Sequence, residues 1–356
     1  MQWKKRLLLL VVLVFSLCLL FSAGAAYAAN DEPETIAVGD IKLQLIHHDE
    51  SLVPDRGHAG FCALLFDTDG RLALEDGRTW LYTTGLFEAP IEGLRDWYGK
   101  WVSHARTFNP ESLVSGEKEL ALGLAPADQW AVIHHAIKVE DDLYVVFYST
   151  NKGVRAAVSS QPNTGFYTAP DFEITPTEPW ELEGGEGASL ESAGGHVKIR
   201  ENEDEFVFWL IYDSYNVNTR VGQLGWAKVR LDKHSRYLEL IEKHPNNPLD
   251  LLPQGYLAAR AGGNVGSDVK IDGKHTLFYF TRPDAATYNL MVALATDELF
   301  QNIVETVQIG GPLGTEEIIE KFEAYILDDI LYIIYENRLA DKTWQTGIRL
   351  YQIIDE

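Results

Sequence analysis

The chain has almost no cysteine. Two occur in 356 residues, and Cys18 sits inside an N-terminal apolar run, which leaves Cys62 alone in the remainder. A single thiol makes no intramolecular disulfide, so a packed core has to hold the fold. Cys62 falls in an apolar strand pattern and reads as buried and inert. Basic residues are scarce as well: 30 Lys and Arg stand against 53 Asp and Glu, for a formal net charge of -23. That balance argues against nucleic acid, which needs Lys and Arg on its phosphates, and equally against anionic membrane surfaces. It reads instead as a solubilising surface. Also missing are an EF-hand loop, a phosphate-binding glycine loop, a dinucleotide fingerprint and a serine nucleophile elbow.

The one long apolar run lies at the start. Lys4, Lys5 and Arg6 precede Leu7 to Leu20, and Ala26-Tyr27-Ala28 follows as a small-x-small cleavage pattern. This is the layout of a signal peptide. The run is shorter than the ~20 residues a membrane-spanning helix needs. The expectation is therefore a signal peptide over 1–28 and a secreted or periplasmic domain over 29–356. Loss of the three basic residues would take the net charge to about -26.

Beyond residue 35, short runs rich in Val, Ile, Tyr, Phe and Trp alternate with Gly, Asp and Asn turns, with almost no sustained helical periodicity. That is all-β patterning. One unit recurs: a strand, a turn, a second strand ending near a tyrosine, and a third strand containing small residues. The second strands read Thr79 to Thr84, Leu143 to Thr150, Phe206 to Ser214, Thr276 to Arg282 and Leu331 to Asn337. Their marker tyrosines, Tyr82, Tyr148, Tyr212, Tyr279 and Tyr335, are spaced by 66, 64, 67 and 56 residues. A repeated small antiparallel sheet has two apolar faces that neighbouring copies must cover, so the repeat predicts a radial array. The expected fold is an all-β, five-bladed β-propeller of four-stranded antiparallel blades, with a sandwich plus a second β domain as the competing architecture.

In such an array the starts of the innermost strands converge on one funnel. The residues there are Asp55 to His58, His134 and His135, Glu186 to His196, Arg260 to Asp268, and Glu323. Ionisable groups in buried strands cost several kcal/mol unless paired or used. The candidate site residues are therefore Asp55, His58, His134, His135, Glu186, Glu191, His196, Arg260, Asp268, Arg282 and Glu323. The histidine pairs His47-His48 and His134-His135 lack metal-ligand spacing, and adjacent strand residues face opposite ways. No metal or cofactor is called for, although a structural calcium on the axis stays open.

Trp130 to Ile137 with Leu143 to Ser149, then Gly153 to Phe166, and Glu191-Ser192-Ala193-Gly194-Gly195-His196-Val197 carry a resemblance. Over about 270 residues the layout resembles the five-bladed propeller glycosidases, the group of arabinanases, xylosidases, inulinases, neoagarobiose hydrolases and mannoside phosphorylases. The resemblance implies a carbohydrate substrate and hydrolysis by two carboxyl groups. By that match Glu191 is the general acid, with Glu186 second, and Asp55 the base. The group's pKa-tuning aspartate has no clear heir, since His135 and Ala136 stand there, and Asp268 is a substitute from another blade. His135 is kept as a catalytic candidate because neoagarobiose hydrolases use histidine as acid. Arg260 or Arg282 would suit an acidic sugar. The alternatives are a non-catalytic propeller that binds glycan or protein, and a lyase or phosphorylase sharing the same funnel.

Overall fold

The computed structural model describes residues 34–49, 52–53, 60–86, 101–121, 131–150, 153–216, 218–261, 270–271, 273–284, 288–310, 322–338 and 344–355. The expected signal peptide, Asp55, His58 and Asp268 lie outside the described residues. Residues 36–356 form one unit.

Every regular element among the described residues is a strand. β1 (Thr35–Val38) and β2 (Ile41–Asp49) come first. β3 (Gly60–Asp67), β4 (Thr79–Leu86), β5 (Trp101–Asn109), β6 (Val114–Ser115) and β7 (Glu119–Leu120) follow. Next are β8 (Val132–Glu140), β9 (Leu143–Ser149), β10 (Val154–Ser159) and β11 (Tyr167–Ile174). Then come β12 (Ala188–Glu201), β13 (Glu205–Asn216), β14 (Gly222–Asp232) and β15 (Tyr237–Lys243). β16 (Ala258–Ala261), β17 (Lys270–Ile271), β18 (Lys274–Arg282), β19 (Asn289–Ala295) and β20 (Ile303–Gly310) precede β21 (Phe322–Leu327), β22 (Ile330–Arg338) and β23 (Trp344–Asp355). The second strands of the sequence repeat are β4, β9, β13, β18 and β22, and the third are β5, β10, β14, β19 and β23.

The strands form three sheets. One has the order β1-β2-β23-β22-β21, so the N-terminal strands zip onto the C-terminal ones, with Ile41 opposite Asp355. A second runs β11-β10-β9-β8-β3-β4-β5-β6, and a third β12-β13-β14-β16-β18-β19-β20. Consecutive strands pair antiparallel within each meander. The parallel pairings, Leu65↔Ala136 between β3 and β8 and Gly222↔Ala258 between β14 and β16, join one meander to the next.

Period-two alternation sends neighbouring residues to different cores. In β9, Val145 and Phe147 pack with β13 and β14, whereas Tyr144, Val146 and Tyr148 pack with β3 to β5. In β18, Leu277 and Tyr279 join Trp226 of β14, while Phe278 and Phe280 join Phe322 and Ile333 of β21 and β22. A fifth core sets Leu64, Phe66 and Leu81 of β3 and β4 against Tyr325, Tyr332 and Ile348 of β21 to β23. Both faces of these inner strands are thus covered, which is why β9 and β19 are buried along their whole length. The outer strands β15 and β20 are largely exposed, each with one buried residue, Leu238 and Ile309.

All five marker tyrosines are buried. Tyr148, Tyr212, Tyr279 and Tyr335 each face the core shared with the preceding meander. Tyr82 faces the following one, and Leu81 takes the equivalent position. The tyrosine therefore marks four units by its facing and the first only by its neighbourhood. Small residues lie opposite three of them in the third strand: Ala105 opposite Tyr82, Gly225 opposite Tyr212 and Gly347 opposite Tyr335. At Gly347 an added Cβ would stand 2.5 Å from the Tyr335 ring, so the aromatic stacks directly on backbone.

Candidate active site

The second strands change character as they end. Apolar β4, β9, β13, β18 and β22 finish in Thr83-Thr84, Ser149, Asp213-Ser214, Thr281-Arg282 and Glu336, all buried. The strands paired with them begin in the same way, with Ser103 and His104 in β5, His134 and His135 in β8, Arg260 in β16, Asn289 in β19, Glu323 in β21 and Thr346 in β23. Register puts these groups side by side: Thr84 opposite Ser103, Asp213 opposite Ser192, and Glu336 opposite Thr346. One edge of every meander is thus a buried polar edge. Buried polar and charged groups are costly without partners, so this arrangement needs either an internal network or a ligand.

The best-defined part is a cluster at the ends of β13, β16 and β18. Arg260 Nε donates to Asp213 Oδ2 at 3.1 Å, an ion pair whose side chains are 8% and 0% exposed. The Arg260 guanidinium also lies 4.0 Å over the Tyr215 ring. Arg282 Nη1 donates to the hydroxyls of Tyr215 and Tyr288 at 2.8 and 2.6 Å and stacks 4.2 Å over Tyr288. Arg220 adds a donor to Tyr215 at 3.1 Å. Planar guanidinium groups held by stacking and hydrogen bonds at once present their remaining donors in a fixed direction.

Glu191 belongs to β12 at a register irregularity between Leu190 and Ser192, whose partners in β13 are Ser214 and Asp213. Its backbone therefore runs beside Asp213. The side chain itself is outside the described residues. Glu186 is exposed in the turn before β12, where its carbonyl accepts from Asn218 Nδ2 at 2.8 Å and Asn216 Nδ2 at 3.4 Å. Glu323 and Glu336 occupy the polar edge on β21 and β22, both buried.

The histidines are interior. His134 Nε2 meets Ser149 Oγ at 2.7 Å. His135, fully buried and stacked on Phe66, meets His196 Nδ1 through its Nε2 at 2.8 Å. His196 Nε2 lies 3.2 Å from the Thr68 carbonyl, and its ring packs edge-to-face against the stacked pair Phe206 and Phe208. Burial lowers the His196 pKa to about 4 against the pull of hydrogen bonds to the Thr68 and Asp67 backbone. A carbonyl only accepts, so Nε2 of His196 carries its proton and Nδ1 accepts from Nε2–H of His135. Of the tryptophans, Trp180 is part-buried against Tyr212.

Of the residues singled out in the sequence, the structure places Arg260 and Arg282 in this cluster, the backbone of Glu191 beside Asp213 and Glu323 on the polar edge; Asp213, Tyr215, Tyr288 and Glu336 were not among them. The signal was available: Asp213 and Glu336 each directly follow a marker tyrosine inside a β run, where an apolar residue is the norm. Among the described residues, no group of three or more His, Cys, Asp or Glu is placed to hold a metal ion.

No protein-family model and no curated protein matches the sequence. Solved structures do. Bacillus subtilis levansucrase is similar with a TM-score of 0.52 at 10% identity, over 86% of this chain and 88% of that one. A levansucrase variant complexed with sucrose gives 0.53 at 11% identity over 86% and 88%. An RGII complex of BT0996 gives 0.52 at 10% identity over 85% and 92%. At such identities the likeness is one of fold.

Proposed function

We propose that the protein is an exported glycoside hydrolase whose five meanders are the blades of a propeller, and that it cleaves a poly- or oligosaccharide at the buried polar edge. Support for five blades is the cyclic order of the cores. β3–β5 pack on β8–β10, β8–β11 on β12–β15, β12–β14 on β16–β19, β18–β20 on β21–β23, and β21–β23 on β3–β5. Each meander has two neighbours, and the last adjoins the first.

The observation that carries the chemistry is the Asp213–Arg260–Tyr215–Arg282–Tyr288 cluster beside the β12 segment that bears Glu191. Glycoside hydrolysis needs an acid to protonate the departing oxygen and a carboxylate to activate water, ~6.5 to 9.5 Å apart for inversion. In this reading Glu191 is the acid and Asp55 the base. Asp213, fixed by Arg260, supplies the neighbouring negative charge that favours the protonated form of the acid. Asp213 thereby takes the role the sequence left without a carboxylate. Arg282 with Tyr215 and Tyr288 offers donors and ring faces for sugar hydroxyls and C–H surfaces. His135 and His196 act as an internal hydrogen-bonded pair between strands, not as the acid.

The test is a screen of glycans for released reducing ends, with Glu191→Gln as the control. Loss of general acid catalysis lowers turnover by ~10²- to 10⁴-fold. Full activity in Glu191→Gln would remove Glu191 from the role, and no reducing ends from any glycan would favour a binding propeller. Sequencing the N-terminus of the mature protein checks export, with residue 29 expected first.

A further inference from the structure

A second cleft opens at the other end of β4 and β5. Its volume is about 440 Å³, and it is lined by Glu75, Asp76, Arg78, Thr79, Trp80 and Thr107. Thr79 and Thr84 are five residues apart on β4, which at ~3.3 Å per residue separates this cleft from the polar edge by about 17 Å along the strand. Cavities of ~300 to 1,000 Å³ are the size that holds small molecules.

Its walls are built, not merely exposed. Trp80 and Thr107 are cross-strand partners in β4 and β5. The indole is half-buried, anchored on the core that contains Ala105 and Tyr82, and its uncovered part lines the cleft. The opposite wall is a two-residue hairpin. Glu75 and Arg78 exchange both backbone hydrogen bonds, at 2.7 and 3.0 Å, around Asp76 and Gly77 with φ of 50° and 71°. Paired left-handed central residues are the rigid turn that matches strand twist, and Asp-Gly is its preferred sequence. The turn presents Asp76 and Arg78 in fixed positions, and neither side chain enters an ion pair among the described residues.

Charge narrows the ligand class. Glu75 shares Lys138 with Asp141, at 2.5 and 3.1 Å, while Asp76 and Arg78 bring one charge of each sign. Such a wall has no excess of positive charge with which to concentrate phosphate. What it offers is one flat apolar face, a donor fork and acceptor oxygens within a single cleft, which suits a neutral, polyhydroxylated ring. We propose that this cleft is a second, non-catalytic saccharide-binding site, taking a segment of a neutral glycan chain against Trp80 with Asp76 and Arg78 on its hydroxyls. This inference rests on the cleft's own residues and is separate from the strand-end chemistry.

Affinity electrophoresis through gels containing levan, inulin, linear arabinan or xylan tests it. The wild-type protein is expected to be retarded by at least one of the four. Asp76→Ala with Arg78→Ala, both at exposed turn positions, should weaken that retardation about ten-fold. Trp80→Ala should do the same and Trp80→Phe should retain part of it, with melting curves confirming that each variant folds. Turnover of a small soluble glycoside should be unchanged in all of them. Equal retardation of wild type and variants, or no retardation of wild type in any gel, overturns the proposal. Glu191→Gln separates the two sites: it should abolish hydrolysis and leave retardation intact. Trp80-dependent retardation in a wild-type protein that hydrolyses nothing would uphold the cleft and remove the catalytic reading.

Discussion

Acidification should weaken the fold through one identifiable imidazole. His196 is buried among Phe206, Phe208 and His135, with Thr68 and Asp67 backbone, Asp69 and Lys198 as its polar and charged surroundings. Its pKa falls from 6.5 to about 4 on folding. The sign follows from which state binds the proton. Above pH 6.5 neither state does, and stability from this group is complete. As pH falls from 6.5 towards 4, the unfolded chain takes up the proton first, so unfolding becomes easier by up to ~1.4 kcal/mol per pH unit, and below 4 the effect levels off. Across the window the loss is about 3 kcal/mol. Structurally, a proton on Nδ1 would face the Nε2–H of His135, setting donor against donor. Glu201, whose pKa is lowered by hydrogen bonds from Thr68 and Lys233 that outweigh its desolvation, gives up its own contribution only further into acid. The assay is urea unfolding followed by tryptophan fluorescence at a series of pH values, wild type beside His196→Gln. The variant should be less stable near neutrality and much flatter between pH 6.5 and 4.5. Parallel curves for the two proteins would refute the reasoning.

Two further perturbations test the packing. Lys243 Nζ lies 2.6 Å from Glu181 Oε2, with the Glu181 side chain 0% exposed and also bonded to Tyr212. Lys243→Met should cost ~3 kcal/mol or more by denaturant unfolding, and adding Glu181→Gln should recover most of it, because the penalty lies in the stranded charge. Gly347→Ala should cost ~1 to 3 kcal/mol, since its Cβ would press on Tyr335 and disturb the Tyr335 hydroxyl bond to His48. Unchanged stability in Gly347→Ala would show that the ring has room to move.

The strands were legible because their faces are simple. Where both faces pack on neighbouring sheets, β runs such as Leu143 to Ser149 are apolar throughout, and the tyrosine recurs at nearly constant spacing. Tyr82 misled in detail: it shares the spacing and not the facing, because a one-residue offset in a strand moves a side chain to the opposite sheet face. The histidines were readable as buried polar groups but not as a pair. His135 and His196 are 61 residues apart, and only the packing of β8 beside β12 brings their nitrogens together. Asp213 was hidden for a related reason. Its place directly after Tyr212 is a local signal, but its importance comes from Arg260 on another meander, a contact that spans 47 residues. The Asp-Gly turn of the second cleft was written plainly at Asp76-Gly77, but its meaning depended on Trp80 standing across from it.

The central claim is that the buried polar edge binds and cleaves a saccharide. A crystal structure of Glu191→Gln soaked with an oligosaccharide that the wild type hydrolyses tests it most directly. A sugar ring within hydrogen-bond reach of Asp213 and Arg260, its scissile oxygen next to the glutamine at 191, is the predicted result. An oligosaccharide bound only in the Trp80 cleft, with the strand ends around Asp213 closed to it, would contradict the account.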